Sequence, residues 1–189
     1  MPIDSLPRFS LAHLPTPLEA LPALSRLLAG PSLLIKRDDQ TGLAFGGNKT
    51  RKLEFLLGDA LAQGADTLIT LGAVQSNHCR QTAAAAAKAG LRCELILNGK
   101  KPDLANGNLL LDELLGANLH WIERSQRAAK LAELAAQLRA RVLQTSHVQR
   151  ETGVEENVEG WCLVVSLFAT PVSPSPSYKR KRKRNADKR

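Results

Sequence analysis

Two short runs carry the residue types that chemistry needs. In Gly46-Gly47-Asn48-Lys49-Thr50 a lysine opens a helical pattern directly after two glycines, which let the backbone come close to a ligand. The positive end of a helix favours anions and the neutral form of an amine, and a neutral amine can form a Schiff base. In Gln75-Ser76-Asn77-His78 a second helix opens on residues that cap it, and its free N–H groups can hold a carboxylate or a phenolate oxygen. Taken singly, each run also fits a plainer reading: a surface lysine in a first turn, and an ordinary cap.

Three rival chemistries fit less well. Gly42 and Gly47 have the spacing of a phosphate-binding Walker loop, but Asn48 stands where that loop needs lysine. Lys49 and Thr50 then come one residue late, and a ~100° rotation along the helix re-aims both side chains. His78 beside Cys79 suggests a base and nucleophile, yet neighbours in a helix point to different sides. The four histidines show no i, i+4 pairing, so no metal site is expected.

The elements that must position these loops can be read from periodicity. Residues 1–32 hold six of the ten prolines and read as surface chain with a short helix near 19–29. Leu33-Leu34-Ile35 reads as a buried strand. From Lys49 to Gln63, Leu53, Leu56, Leu57, Ala60 and Leu61 recur at helical spacing, and Gly64 follows as a stop. The pattern repeats as strand 67–71, helix 78–89 closed by Gly90, strand 93–97, helix 106–115, strand 119–122 and helix 125–141. Alternation of this kind predicts a parallel sheet with helices on both faces, its ligands bound where strands end and helices begin.

The net charge of +8 is concentrated at one end. Residues 179–189 (KRKRKRNADKR) hold eight of the 26 basic side chains and one of the 18 acidic ones, which leaves the first 178 residues at +1. A nucleic-acid-binding face on the folded body is therefore not expected, although the basic run alone could act as an import or nucleic-acid-binding tail on a non-enzymatic remnant. Cys79, Cys93 and Cys162 form neither a C-x-x-C pair nor an even set, which favours a reducing compartment. No apolar run approaches the ~18 residues of a membrane span, and a cytoplasmic protein is expected. After residue 142 the regular pattern ends, in an apolar run at 160–169, a proline-rich PVSPSPS and the basic end.

The runs IKRDDQTGLAFGGNKTRKLEFL (35–56), GADTLITLGAVQSNHCRQTAAAAAKAGLRC (64–93) and NGNLLLDELLGA (106–117) together resemble the D-cysteine desulfhydrase family of pyridoxal-phosphate (PLP) enzymes. Its relatives are L-cysteate sulfo-lyase and aminocyclopropane-carboxylate deaminase. The resemblance spans residues 6–141 and implies an α/β fold of the tryptophan-synthase-β type (fold type II), with PLP held between two domains. It implies that Lys49 bonds PLP and moves the Cα proton, that Lys52 contacts the phosphate, and that Asn77 partners the ring oxygen. Ser76 is implied at the substrate carboxylate or leaving group, with Gln75 and His78 in the same substrate-binding motif.

The implied reaction is β-elimination from a small amino acid, D-cysteine giving pyruvate, sulfide and ammonia. The deaminases typically carry Gln at the place of His78 and a longer segment at 98–108, which ranks them behind the two sulfur lyases. The family is homo-oligomeric. On this resemblance residues 1–142 form the family's amino-terminal region, including its small α/β domain, and 143–189 a non-family, disordered tail. The second domain is expected to be largely missing through truncation or a frameshift, so that the chain alone would bind PLP weakly and be inactive.

Overall fold

The computed structural model describes residues 3–145 and 162–166. Its elements follow in the order β1 (Leu18–Ala20), α1 (Pro22–Leu27), β2 (Leu34–Lys36), α2 (Lys49–Ala62), β3 (Ala65–Ala73), α3 (Asn77–Ala89), β4 (Arg92–Asn98), α4 (Gly107–Leu114), β5 (Asn118–Ile122), α5 (Arg127–Thr145) and β6 (Cys162–Ser166).

β3, β4 and β5 form the parallel sheet that the alternating pattern predicts, with Leu68 opposite Cys93 and Leu95 opposite Leu119. Because side chains alternate across a strand, each strand feeds two cores. Leu68, Cys93, Leu95 and Leu97 pack with Leu53, Leu57 and Ala60 of α2, Ala83 and Ala86 of α3, and Leu109 of α4. Ile69, Ile96 and Ile122 pack on the other face with Leu134, Ala135 and Leu138 of α5. Full burial of a leucine such as Leu57 stabilises by about 1.5–3 kcal/mol. Of the five consecutive alanines 83–87, Ala83–Ala86 are buried, and their small side chains let α3 lie close to its neighbours.

Two parts depart from the pattern. The run Leu33–Ile35, expected as a buried strand, gives instead the exposed strand β2, paired antiparallel with β1 outside the main sheet. Apolar composition favours a strand but does not fix whether another element covers its face. In the segment after residue 142, β6 pairs antiparallel with β3, giving the sheet order β5-β4-β3-β6. The proline-rich stretch and basic end, at 171–189, lie outside the described residues. Among the described residues no helix is long and apolar enough to cross a membrane.

The amino-terminal chain is tied to α2 through one buried carboxylate. Glu54 accepts from the backbone N–H groups of Leu11 and Ala12, each at 2.9 Å, and from Arg8 Nε at 2.8 Å. Burial pushes this carboxyl up, but the two N–H groups and the guanidinium outweigh it and hold it below the ordinary glutamate value.

Candidate active site

The glycine loop before α2 is held in a left-handed run: Ala44 has φ 44°, Phe45 67°, Gly46 72° and Gly47 129°. A Cβ on Gly46 would lie 1.9 Å from the Asp39 carbonyl oxygen, and one on Gly47 would lie 2.5 Å from the Gln81 amide. Ala44 and Phe45 cost roughly 1 kcal/mol or more each in this conformation. Hydrogen bonds keep the loop closed. Gly47 N–H donates to Thr41 Oγ1 at 2.8 Å, and the Arg80 guanidinium donates to the carbonyls of Ala44 and Gly46.

The loop delivers Lys49 as the first residue of α2, half-buried, its amine donating to Asn48 Oδ1 at 3.1 Å. The QSN loop delivers the start of α3. Ser76 is its N-cap, the Oγ accepting from Cys79 N–H at 3.3 Å. Asn77 follows with its Oδ1 accepting from Asn108 Nδ2 at 2.9 Å and from Arg80 at 3.3 Å. The two helix starts are joined through Thr50 and Gln81, both buried.

Five of the six expected site residues, Lys49, Lys52, Ser76, Asn77 and His78, line one cleft of about 770 Å³. It opens beyond the carboxyl end of β3, where an α/β sheet places its ligands. Gln75 is not among the lining residues: its Nε2 donates to Asn106 Oδ1 at 3.0 Å and its Oε1 accepts from the Asn108 N–H at 2.8 Å. Cys79 points into the core, and burial pushes its thiol up to about 11, which removes it as a nucleophile beside His78.

Other lining residues were not singled out from the sequence: Asp39, Phe45, Arg51, Arg80 and Gln81. Arg80 and Gln81 had a signal, because they stand three and four residues after Asn77 and so share its helix face. Asp39, paired with Arg37 at 2.7 Å, is held below the ordinary carboxylate value by that hydrogen bond. Asp112 in α4 is fully buried, and among the described residues neither carboxylate oxygen has a hydrogen-bond partner. Burial pushes it up to about 7, against the opposing pull of Arg80.

These groups fit PLP chemically. The cleft has the size of a cofactor site. Its wall carries a primary amine for an aldehyde, and the cations Lys49, Arg51, Lys52 and Arg80 against the single carboxylate Asp39. That balance suits a phosphate. Asn77 Oδ1 is already engaged, which leaves its Nδ2, without a protein partner among the described residues, to meet a ring oxygen.

Residues 9–162 match the sequence family described as pyridoxal-phosphate-dependent enzymes. The chain is 53% identical over 144 residues to a D-cysteine desulfhydrase of Klebsiella pneumoniae subsp. pneumoniae, covering 73% of this chain and 44% of that protein. It is 50% identical over 149 residues to the D-cysteine desulfhydrase of Salmonella paratyphi B, covering 74% and 45%. A solved structure described as an ACC deaminase homologue superposes with a TM-score of 0.67 at 44% identity, covering 74% of this chain and 43% of that one. A pyridoxal 5'-phosphate-dependent aspartate racemase superposes with a TM-score of 0.54 at 21% identity, a likeness of fold alone. The chain thus spans less than half the length of the relatives it matches, and over that span it belongs to the family of pyridoxal-phosphate-dependent enzymes.

Proposed function

We propose that this chain supplies one wall of a PLP-dependent carbon–sulfur lyase site of the D-cysteine desulfhydrase type, acting on a small amino acid in the cytoplasm. The observation that carries the reading is the meeting of Lys49 and Asn77 at two joined helix starts that line one cleft. When bound, PLP supplies an aldehyde for an amine and a ring that takes up the electron pair left at Cα. Lys49 would hold the aldehyde, and its Nζ would take the Cα proton of the substrate. Asn77 donates through Nδ2 to the ring oxygen. Lys52, one turn further along α2, balances the phosphate charge. The open N–H groups at the start of α3, with the Ser76 hydroxyl, orient the substrate carboxylate. Loss of sulfide from Cβ and hydrolysis then turn D-cysteine and water into pyruvate, sulfide and ammonia.

The test is covalent mapping. The full chain is incubated with PLP, reduced with borohydride and digested, and the pyridoxyl group is located by mass spectrometry. Label concentrated on Lys49, and lost in Lys49→Ala without transfer to Lys52, is the expected result. Label spread evenly over the exposed lysines would sink the assignment. Sulfide release from D-cysteine, measured on the same sample, reports whether this wall is sufficient for turnover.

A further inference from the structure

We propose that Gln75 and Asn108 are positioning residues that set the Asn77 amide with its nitrogen, and not its oxygen, towards the cleft, so that this wall reads a hydrogen-bond acceptor on its ligand. The identity of that acceptor, the ring oxygen, rests on the reading of the cleft as a PLP site.

The orientation follows from groups that cannot reverse their roles. A backbone carbonyl only accepts and a backbone N–H only donates. The Asn106 carbonyl takes a bond from Gln75 Nε2 at 3.2 Å, and the Asn108 N–H gives one to Gln75 Oε1 at 2.8 Å. Both ends of the Gln75 amide are thereby assigned. Asn108 Nδ2 donates to the Gln75 carbonyl at 2.8 Å, which assigns the Asn108 amide as well. The same nitrogen has a second proton, and it goes to Asn77 Oδ1 at 2.9 Å. Arg80, which has no acceptor atom, adds a donor to the same oxygen at 3.3 Å. A flip of Asn77 would set its NH2 against two donors. The side chain of Gln75 also needs the space above Gly107, where a Cβ would lie 2.6 Å from Gln75 Oε1. The start of α4 is thus shaped to the QSN loop, 31 to 33 residues away in sequence.

Two measurements on the full chain test this. The first needs no cofactor: 15N relaxation of side-chain amides is compared in wild type, Asn108→Ala and Gln75→Ala. Asn77 should lose order in both variants while the exposed Asn48 amide stays as it was. Unchanged order at Asn77 in folded variants would overturn the proposal. The second compares borohydride trapping on Lys49 by PLP and by its analogue lacking the ring 3-hydroxyl. The preference for PLP over the analogue should fall about tenfold in Asn108→Ala, the size of one lost charge-assisted hydrogen bond. A preference equal to wild type would overturn it. Should Asn108→Ala fail to fold, Gln75→Glu keeps the acceptor for the Asn108 N–H but loses the donor to Asn106, and should show the same change at smaller size. If trapping does not depend on Lys49, the cofactor reading fails, and the relaxation result still decides the positioning claim.

Discussion

Thr50 Oγ1 donates to Gln81 Oε1 at 2.7 Å inside the protein, and Gln81 Nε2 donates on to the Asn77 carbonyl at 3.1 Å. Thr50 is the neighbour of Lys49, and Asn77 opens the facing helix. One buried chain of hydrogen bonds therefore fixes the distance between the amine and the amide that the proposed chemistry uses. Because the side chains of Thr50 and Gln81 are at most 1% exposed, no water can replace a lost partner cheaply.

Thr50→Val keeps the shape and removes the hydroxyl, which leaves Gln81 Oε1 buried without its donor. A destabilisation of about 1–3 kcal/mol is expected in urea unfolding, with Thr50→Ser much closer to wild type. Trapping of PLP on Lys49 should fall as well. A Val variant as stable as wild type would mean that the helix starts are set by packing alone.

Glu54 gives a pH-dependent effect of one sign. Its carboxyl is held below the ordinary value in the folded chain, so its contribution is present above the ordinary glutamate range and lost as pH falls through the lowered value. Glu54→Gln should cost about 1.5–3 kcal/mol at pH 7, because Arg8 and two backbone donors lose their charged acceptor. The gap between the two unfolding curves should narrow below pH ~4. A gap independent of pH would assign the role of Glu54 to shape.

The sheet from residue 65 to 122 was legible because local periodicity and glycine stops specify it, and helix starts after strands are local features too. The two loops around Lys49 and Asn77 could be placed at helix starts for the same reason, whereas the grouping of Lys49, Lys52, Ser76, Asn77 and His78 into one site came from the resemblance of the linked motifs to the family. The exposure of Leu34 and Ile35 was not legible, since an apolar run says nothing about which element covers it. Nor was the place of Gln75, whose partners Asn106 and Asn108 reach it only after α3 and α4 pack side by side. Glu54 likewise finds its donors in residues 8–12, a stretch without periodic pattern.

Arg80 should control the glycine loop more than the core. Its planar fork donates to the carbonyls of both Ala44 and Gly46 and so offsets the strain of two non-glycine residues at positive φ. A lysine has one ammonium and cannot span both carbonyls in that plane. In Arg80→Lys, hydrogen exchange at residues 43–48 should quicken at least tenfold, while β3 and β4 exchange as in wild type. Equal acceleration everywhere would make Arg80 a global stabiliser and remove the loop-specific role.

Asp112 gives a pH effect of the opposite sign. In the folded chain its carboxyl is pushed up to about 7 by burial, whereas in the unfolded chain it ionises near the ordinary value of 3.8. Between those two values the folded state binds the extra proton, so stability falls as pH rises across that window and levels off above it. Asp112→Asn has no proton to lose and fills the same space. It should match wild type near pH 4, gain on it progressively up to pH ~7, and stay ahead at pH 8. Thermal unfolding of both proteins across this range decides the matter. If Asp112→Asn were less stable at pH 8 than at pH 4 relative to wild type, the carboxylate would be ionised and paired with Arg80 in the folded protein, and α4 would be held to α3 by an ion pair that this geometry does not contain.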